Sequence, residues 1–356
     1  VSTDNAVEVR CVVEGGLGRV TLNRPRAINA LTTGMIRDIA AALAVWEHDD
    51  AVRAVLVEGA GERGLCAGAD IRALHASARA RDGLAEEFLR EEYHLNARLR
   101  RYTKPVVAFM DGIVMGGGVG LSAHTAVRVV TERSRVGMPE TDIGFLPDVG
   151  GTYLLSRTPG LLGAHAALTA ARLGAADALL CGLADHYVTG DRLPGLAEAI
   201  AGGADPASAA AEAAVASGEP AGGVLEEARP WIDDCYDAST VAEVLERLRT
   251  RPEAAARRAA EEIEAKSPTS LAVTLRALNE ARALADLEDC LNREYRITRA
   301  LLETPDFLEG VRAAVIDKDR APKWSPSALA DVTAEEVEAF FAPRGPELGL
   351  AAPRPQ

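Results

Sequence analysis

Two acids, Glu140 and Asp148, stand eight residues apart in the stretch MPETDIGFLPD (138–148), with glycine-rich turns on either side. Upstream, Gly116, Gly117 and Gly118 lead into Val119-Gly120-Leu121-Ser122; downstream lie Gly150 and Gly151. A carboxylate can attack a carbonyl or take a proton from water, and its acid form can return one to a leaving group. Glycines at the start of a helix expose backbone N–H groups with no side chain over them, a setting that favours negative charge. Donors for an oxyanion beside acids that move protons point to acyl-transfer or enolate chemistry. Taken singly, each glycine is an ordinary tight turn and each acid a solvated loop residue; it is their convergence that carries the chemical reading.

Other glycine-rich readings fail on the letters. Leu121 stands where G-x-G-x-x-G needs its last glycine, and no G-x-x-x-x-G-K-[ST] occurs here. The nucleophile elbow G-x-S-x-G fails because His124 follows Gly120-Leu121-Ser122-Ala123, so Ser122 is expected to be a helix residue. The six histidines never fall at metal-ligand spacing such as H-E-x-x-H, and each is expected to be structural. No metal and no cofactor are expected.

The elements that must hold this stretch alternate. Val106–Met110 reads as a buried strand, Asp111-Gly112 as a turn and Val127–Thr131 as another strand. Earlier, Arg19–Leu22 reads as a strand that stops at Pro25. Thr32 or Thr33 caps a helix with Met35 or Ile36, Ile39, Leu43 and Trp46 on its buried face. Ala54–Glu58 is a buried strand followed by a glycine-rich loop to Asp70, and 81–101 reads as a helix. On that helix Glu91 and Glu92 are expected on general grounds to belong to the solvated face. The alternation predicts an α/β fold with strand crossovers.

Beyond the organising stretch, 162–172 and 175–182 read as helices and 184–188 as a short strand. Residues 197–228 turn rich in Ala, Gly, Glu and Pro. From Thr240 a helical pattern opens with Val241, Val244, Leu245 and Leu248; it breaks at Ser267-Pro268-Thr269 and continues as one long tract from Thr269 to Thr304, ended by Pro305. The expected layout is a core over 1–190, an Ala-rich helical insert or linker over 191–266, a helical C-terminal region over 267–342 and a frayed tail over 343–356.

Bulk composition narrows the function classes. With 356 residues, 48% hydrophobic and 26% charged, the chain can bury a large core. A net charge of −14 argues against a general nucleic-acid surface. Five cysteines, far apart and without C-x-x-C, fit a reducing compartment. No apolar run is long enough for a membrane span, and VSTDNAVEVR lacks the marks of a secretion signal.

The motifs NRPRAINAL (23–31), GLCAGADI (64–71), KPVVAFMDGIVMGGGVGL (104–121) and MPETDIGFLPDVGGTYLL (138–155) resemble the crotonase, or enoyl-CoA hydratase/isomerase, superfamily. Within it, EEYHLN (91–96), SPTSLAVTLR (267–276) and EGVRAAVIDKDRAPKW (309–324) resemble the thioester-hydrolase branch. The resemblance implies a spiral of strand-strand-helix units with a helical C-terminal region, and an acyl-CoA substrate. By motif position it implies an oxyanion hole from the Ala69 and Gly117 N–H groups, with Glu140 and Asp148 as catalytic acids. It moves Glu92 from solvated face to a contact with a substrate hydroxyl, beside Gly116. Arg26, Ala67, Asp70 and Lys323 are the expected CoA contacts.

One departure is informative. Hydratases of the superfamily carry a catalytic Glu three residues after the oxyanion glycine, where this chain has Gly120. That departure argues against two-carboxylate hydration, and the resemblance to the hydrolase branch implies hydrolysis of a short hydroxyacyl-CoA, with 3-hydroxyisobutyryl-CoA giving 3-hydroxyisobutyrate and CoA, a step of valine breakdown. Enoyl-CoA hydration or isomerisation, and non-catalytic acyl-CoA binding, are the alternatives. Glu140 acts as nucleophile or as general base, which sequence does not separate. The expected location is the cytoplasm, a bacterial cytosol or an organelle matrix; association into a homo-oligomer is left open.

Overall fold

The computed structural model describes residues 7–351; the first six residues and 352–356, the end of the tail expected to fray, lie outside the described residues. The chain forms β1 (Val9–Glu14), β2 (Leu17–Leu22), α1 (Thr33–Trp46), β3 (Ala54–Gly59), α2 (Ile71–Ala80), α3 (Leu84–Arg101), β4 (Val106–Met110), β5 (Ile113–Met115) and α4 (Gly117–Ser122). There follow β6 (Val127–Val130), β7 (Arg135–Gly137), α5 (Gly151–Leu155), α6 (Leu162–Thr169), α7 (Ala175–Leu180) and β8 (His186–Tyr187). The remainder is helical: α8 (Leu193–Ala201), α9 (Pro206–Ser217), α10 (Leu225–Tyr236), α11 (Val241–Thr250), α12 (Ala254–Glu264), α13 (Pro268–Ala281), α14 (Leu287–Leu302), α15 (Pro305–Val311), a π-helical turn (Arg312–Ile316) and α16 (Ala334–Phe341).

Six strands make one sheet in the order β1-β2-β3-β4-β6-β8, parallel throughout except for the β1–β2 hairpin. Above it, β5 pairs with β7, and isolated bridges join Gly64 to Gly112, Cys66 to Val114 and Leu31 to Ala69. Each early turn of the chain thus runs from a main-sheet strand through a short crossing segment into a helix. That repeat is the spiral, and it stacks the loop ending at Ala69 directly against the segment leading to Gly117.

The sheet is covered on both faces, which is why β4 reads VVAFM with all five residues buried. Val20, Val55, Val57, Val106 and Ala108 belong to the main core with α1 and α3. Leu17, Leu56, Val107, Phe109 and Val129 pack on Leu193, Leu196 and Ile200 of α8 and Ala210 of α9. The first part of the Ala-rich stretch therefore roofs the sheet, and small side chains let its helices lie close.

Helix α1 forms as its spacing predicts: the Thr32 hydroxyl accepts from the Met35 N–H, and Met35, Ile36, Ile39, Leu43 and Trp46 are buried. Strands β1, β5 and β7 lie where the sequence pattern predicts none, and three further elements differ from expectation. Helix α2 precedes α3, capped by the Asp70 carboxylate and ended by Arg81 at φ +54. The tract from 269 to 304 is two helices, because a new N-cap, Asp286 accepting from the Asp289 N–H at 2.9 Å, restarts the chain as α14. Pro305 opens α15 at its first turn, where a missing N–H costs nothing.

The tail read as frayed is docked as far as Ala351. Leu348 is buried, Asn292 of α14 exchanges two hydrogen bonds with the Leu350 backbone at 2.8 and 3.0 Å, and Arg90 of α3 donates to the Glu347 and Leu348 carbonyls. Among the described residues, no helix is long and apolar enough to cross a membrane.

Candidate active site

A cavity of about 260 Å³ opens where α3, the loop 67–69, the start of α4 and the segment 139–149 meet. It is lined by Ala67, Ala69, Glu92, Gly116, Gly117, Glu140 and Asp148 among others, so the structure gathers seven of the ten residues singled out in the sequence.

The glycines are there for close approach. Gly116 sits at φ +49 and ψ −118, and a Cβ on it would come within 2.7 Å of Glu140 Oε1. A Cβ on Gly117 would strike Glu92 Oε1 and would lie 3.5 Å from the Ala69 nitrogen. Among the described residues, neither the Ala69 nor the Gly117 N–H donates to a carbonyl or a side chain, although their neighbours do. Two adjacent backbone donors without internal partners, facing a cavity with acids, are what an oxyanion hole requires.

Glu140 begins a 3-10 turn (Glu140–Ile143) that β7 delivers to the cavity, and its Oε2 is buried without a partner. Asp148 is held by the Tyr93 hydroxyl, which donates to its Oδ2 at 2.6 Å. Immediately after it, Val149 adopts φ +51, a left-handed conformation that a β-branched side chain resists by about 1–3 kcal/mol. Contacts from elsewhere hold that turn in place. His124 donates from Nε2 to the Val149 carbonyl at 2.8 Å, and Glu294 of α14 accepts from the Gly150 N–H at 2.7 Å, the Thr152 N–H at 2.9 Å and the Thr152 hydroxyl.

Electrostatically the pocket is dry and acidic. Burial lifts Glu92 and Glu140 well above the usual carboxyl range, with the Asp148 charge adding to both. Burial carries Asp148 up to about 7, against the pull of the Tyr93 hydrogen bond. Three carboxyls so placed do not all ionise at neutral pH, and Glu140 and Asp148 titrate as a linked pair, not as two independent acids. His124 is driven down to about 4 by burial, so it is a neutral donor.

Three of the expected CoA contacts are not among the residues that line the cavity. Arg26 is exposed on the turn Pro25–Ala27, and Lys323 is exposed with its N–H bound to Glu309. Asp70 is occupied as the α2 cap and by Arg24 at 3.0 Å. Ala67 alone of that set reaches the rim. On α3 the structure divides the adjacent acids: Glu91 pairs with Arg37 at the surface, whereas Glu92 is 1% exposed. Sequence reasoning missed Tyr93, His124, Val149 and Glu294. A tyrosine next to Glu92 on an inward helix face was the one available signal.

At Gly120 there is no room for an acid. A Cβ there would lie 2.7 Å from Val149 Cβ and 3.0 Å from Asn96 Nδ2. Gly120→Ala is expected to cost about 1–3 kcal/mol in a denaturant melt through overpacking; an unchanged midpoint would show that the site has slack.

Fold and pocket together set two unpartnered backbone amides beside a cluster of buried acids, an arrangement suited to stabilising an oxyanion. The family model described as enoyl-CoA hydratase/isomerase matches residues 17–341, and the chain belongs to that family. The mitochondrial 3-hydroxyisobutyryl-CoA hydrolase of Rattus norvegicus is 42% identical over 341 residues, 94% of this chain and 88% of its own length. The Homo sapiens protein of the same name is 41% identical over 346 residues, covering 95% and 89%. Among solved structures, a carnitinyl-CoA dehydratase from Mycobacterium thermoresistibile matches with a TM-score of 0.92 and 51% identity, over 96% of this chain and 98% of that one. An enoyl-CoA hydratase from Rhodobacter sphaeroides matches with a TM-score of 0.90 and 40% identity, covering 97% and 100%.

Proposed function

We propose that this protein hydrolyses 3-hydroxyisobutyryl-CoA to 3-hydroxyisobutyrate and free CoA. The observation that carries the reading is the pairing of Glu140 and Asp148 in one buried cavity beside the unpartnered Ala69 and Gly117 amides, with Gly120 sterically closed to a second hydratase-type acid. The hydrolase relatives, 41–42% identical over nearly the whole chain, supply the acyl group.

In this reading the thioester oxygen sits between the two amides, which gain strength as negative charge develops on it. Glu140 attacks the acyl carbon, or removes a proton from the water that does; the C–S bond breaks with its electron pair going to sulfur, and in the first case water then cleaves the resulting mixed anhydride, releasing the acid and restoring the Glu140 carboxylate. Asp148 in its acid form returns a proton to that sulfur or orients the substrate hydroxyl. Water is the only co-reactant, so no cofactor beyond the CoA of the substrate is needed. Among the described residues no group of His, Cys, Asp or Glu is gathered as a metal site. The five cysteines are free, in keeping with a reducing cytosol or organelle matrix as the place of work.

A second reading follows from the structural relatives, a carnitinyl-CoA dehydratase and an enoyl-CoA hydratase: dehydration or hydration at the carbon–carbon bond. It calls for an acid that Gly120 does not provide. Thiol release measured over a panel of acyl-CoAs separates the two. Free CoA is expected from 3-hydroxyisobutyryl-CoA, while crotonyl-CoA keeps its conjugated absorbance. Fast loss of that absorbance without thiol would replace hydrolysis by hydration, and binding without either reaction would leave an acyl-CoA carrier.

A further inference from the structure

Glu294 is a buried acid that the reaction does not use. It lies on α14, 144 residues from Gly150 in sequence, yet all its hydrogen bonds go to the turn that follows Asp148. One carboxyl oxygen accepts from the Gly150 N–H; the other accepts from the Thr152 N–H and hydroxyl. Between Asp148 and this anchor sits Val149 at φ +51, whose carbonyl is taken by His124. A β-branched residue does not hold that conformation unaided, and without the anchor the turn relaxes towards ordinary backbone angles. Relaxation of Val149 swings the residue before it, and that residue is Asp148.

We propose that Glu294 is a positioning residue for Asp148. Through Gly150 and Thr152 it clamps the strained turn so that the Asp148 carboxyl faces Glu140 and the thioester, and His124 is the second jaw of the clamp. Tyr93 holds the carboxyl itself, but the backbone direction comes from the clamp. The assignment rests on the hydrolase reading above.

A double-mutant cycle on kcat tests it. Glu294→Gln offers an amide N–H where the turn presents donors, so one bond is lost and a donor faces a donor. The expected result is a kcat about 10- to 100-fold lower with KM changed less than about threefold, since a small misplacement of a reacting group costs rate more than binding. In the Asp148→Asn background the same change is expected to cost less than about twofold, because the group it positions is already gone. His124→Ala repeats the cycle from the other jaw, and His124→Gln, which keeps a donor, is expected to recover most of the rate; these two stand in if Glu294→Gln does not fold. Losses that multiply in the Asp148→Asn background, or an unchanged kcat with only a lower melting temperature, overturn the assignment and leave Glu294 a stability residue. No thiol release by the wild type from any acyl-CoA overturns the hydrolase reading and this inference with it, and is recognised before any variant is compared.

Discussion

Glu140→Gln is expected to lower kcat for thioester hydrolysis by about 10³-fold while KM stays within a few-fold of wild type. The amide fills the same space and keeps a hydrogen-bonding oxygen, so the shape of the cavity beside Gly116 survives. What it cannot do is accept a proton or attack an acyl carbon. Thiol release under saturating 3-hydroxyisobutyryl-CoA gives kcat, and binding of the same compound gives the control. Wild-type turnover in the variant would remove Glu140 from the chemistry. Hydroxylamine added during wild-type turnover then separates its two roles, because Glu140 becomes a hydroxamate only if an anhydride has formed on it.

Asp148→Asn is expected to lower kcat by about 10²- to 10³-fold and, unusually for a buried site, to raise stability at alkaline pH. The sign follows from proton binding. Asp148 titrates at about 7 in the folded protein, against an ordinary aspartate value near 3.8. Below about pH 4 both states are protonated and the acid imposes no penalty. As pH rises through that window the unfolded chain gives up its proton first, and stability falls until pH 7 is passed. Asparagine cannot titrate, so the melting temperature of the variant should gain on that of the wild type between pH 4 and 8, by an amount equivalent to a few kcal/mol. A difference that stays flat across this range would show Asp148 to be normally ionised in the fold. Its loss of activity would then have to be explained by geometry alone.

Much of this site is legible along the chain because each half of it is local. The two unpartnered amides, of Ala69 and Gly117, belong to two short glycine-rich segments, and the bridges joining Gly64 to Gly112 and Cys66 to Val114 are the consequence of two neighbouring turns of the spiral. Helix α1 announces itself by its buried spacing and threonine cap. Other features are not local. Glu91 and Glu92 are about 100° apart on a helix, and only the position of α3 in the fold decides which one enters the pocket. Asp70 stands at a motif position, and that its carboxylate also starts α2 is seen only in the fold. Glu294 and His124 act on a turn far from them in sequence, and the turn itself is odd only in a backbone angle that no residue type at 149 advertises. Long-range hydrogen bonds to main-chain groups leave no pattern in the letters.

The docking of residues 343–351 on α3 and α14 bears on more than the end of the chain. Those two helices supply Glu92, which lines the pocket, Tyr93, which holds the Asp148 carboxyl, and Glu294, which holds the turn behind it. The closing segment therefore works as a girth around the helix that lines the cavity and the helix that braces it from behind. Trimming it to the last helix would slacken both supports at once, and a fusion partner grafted there would load the same two helices.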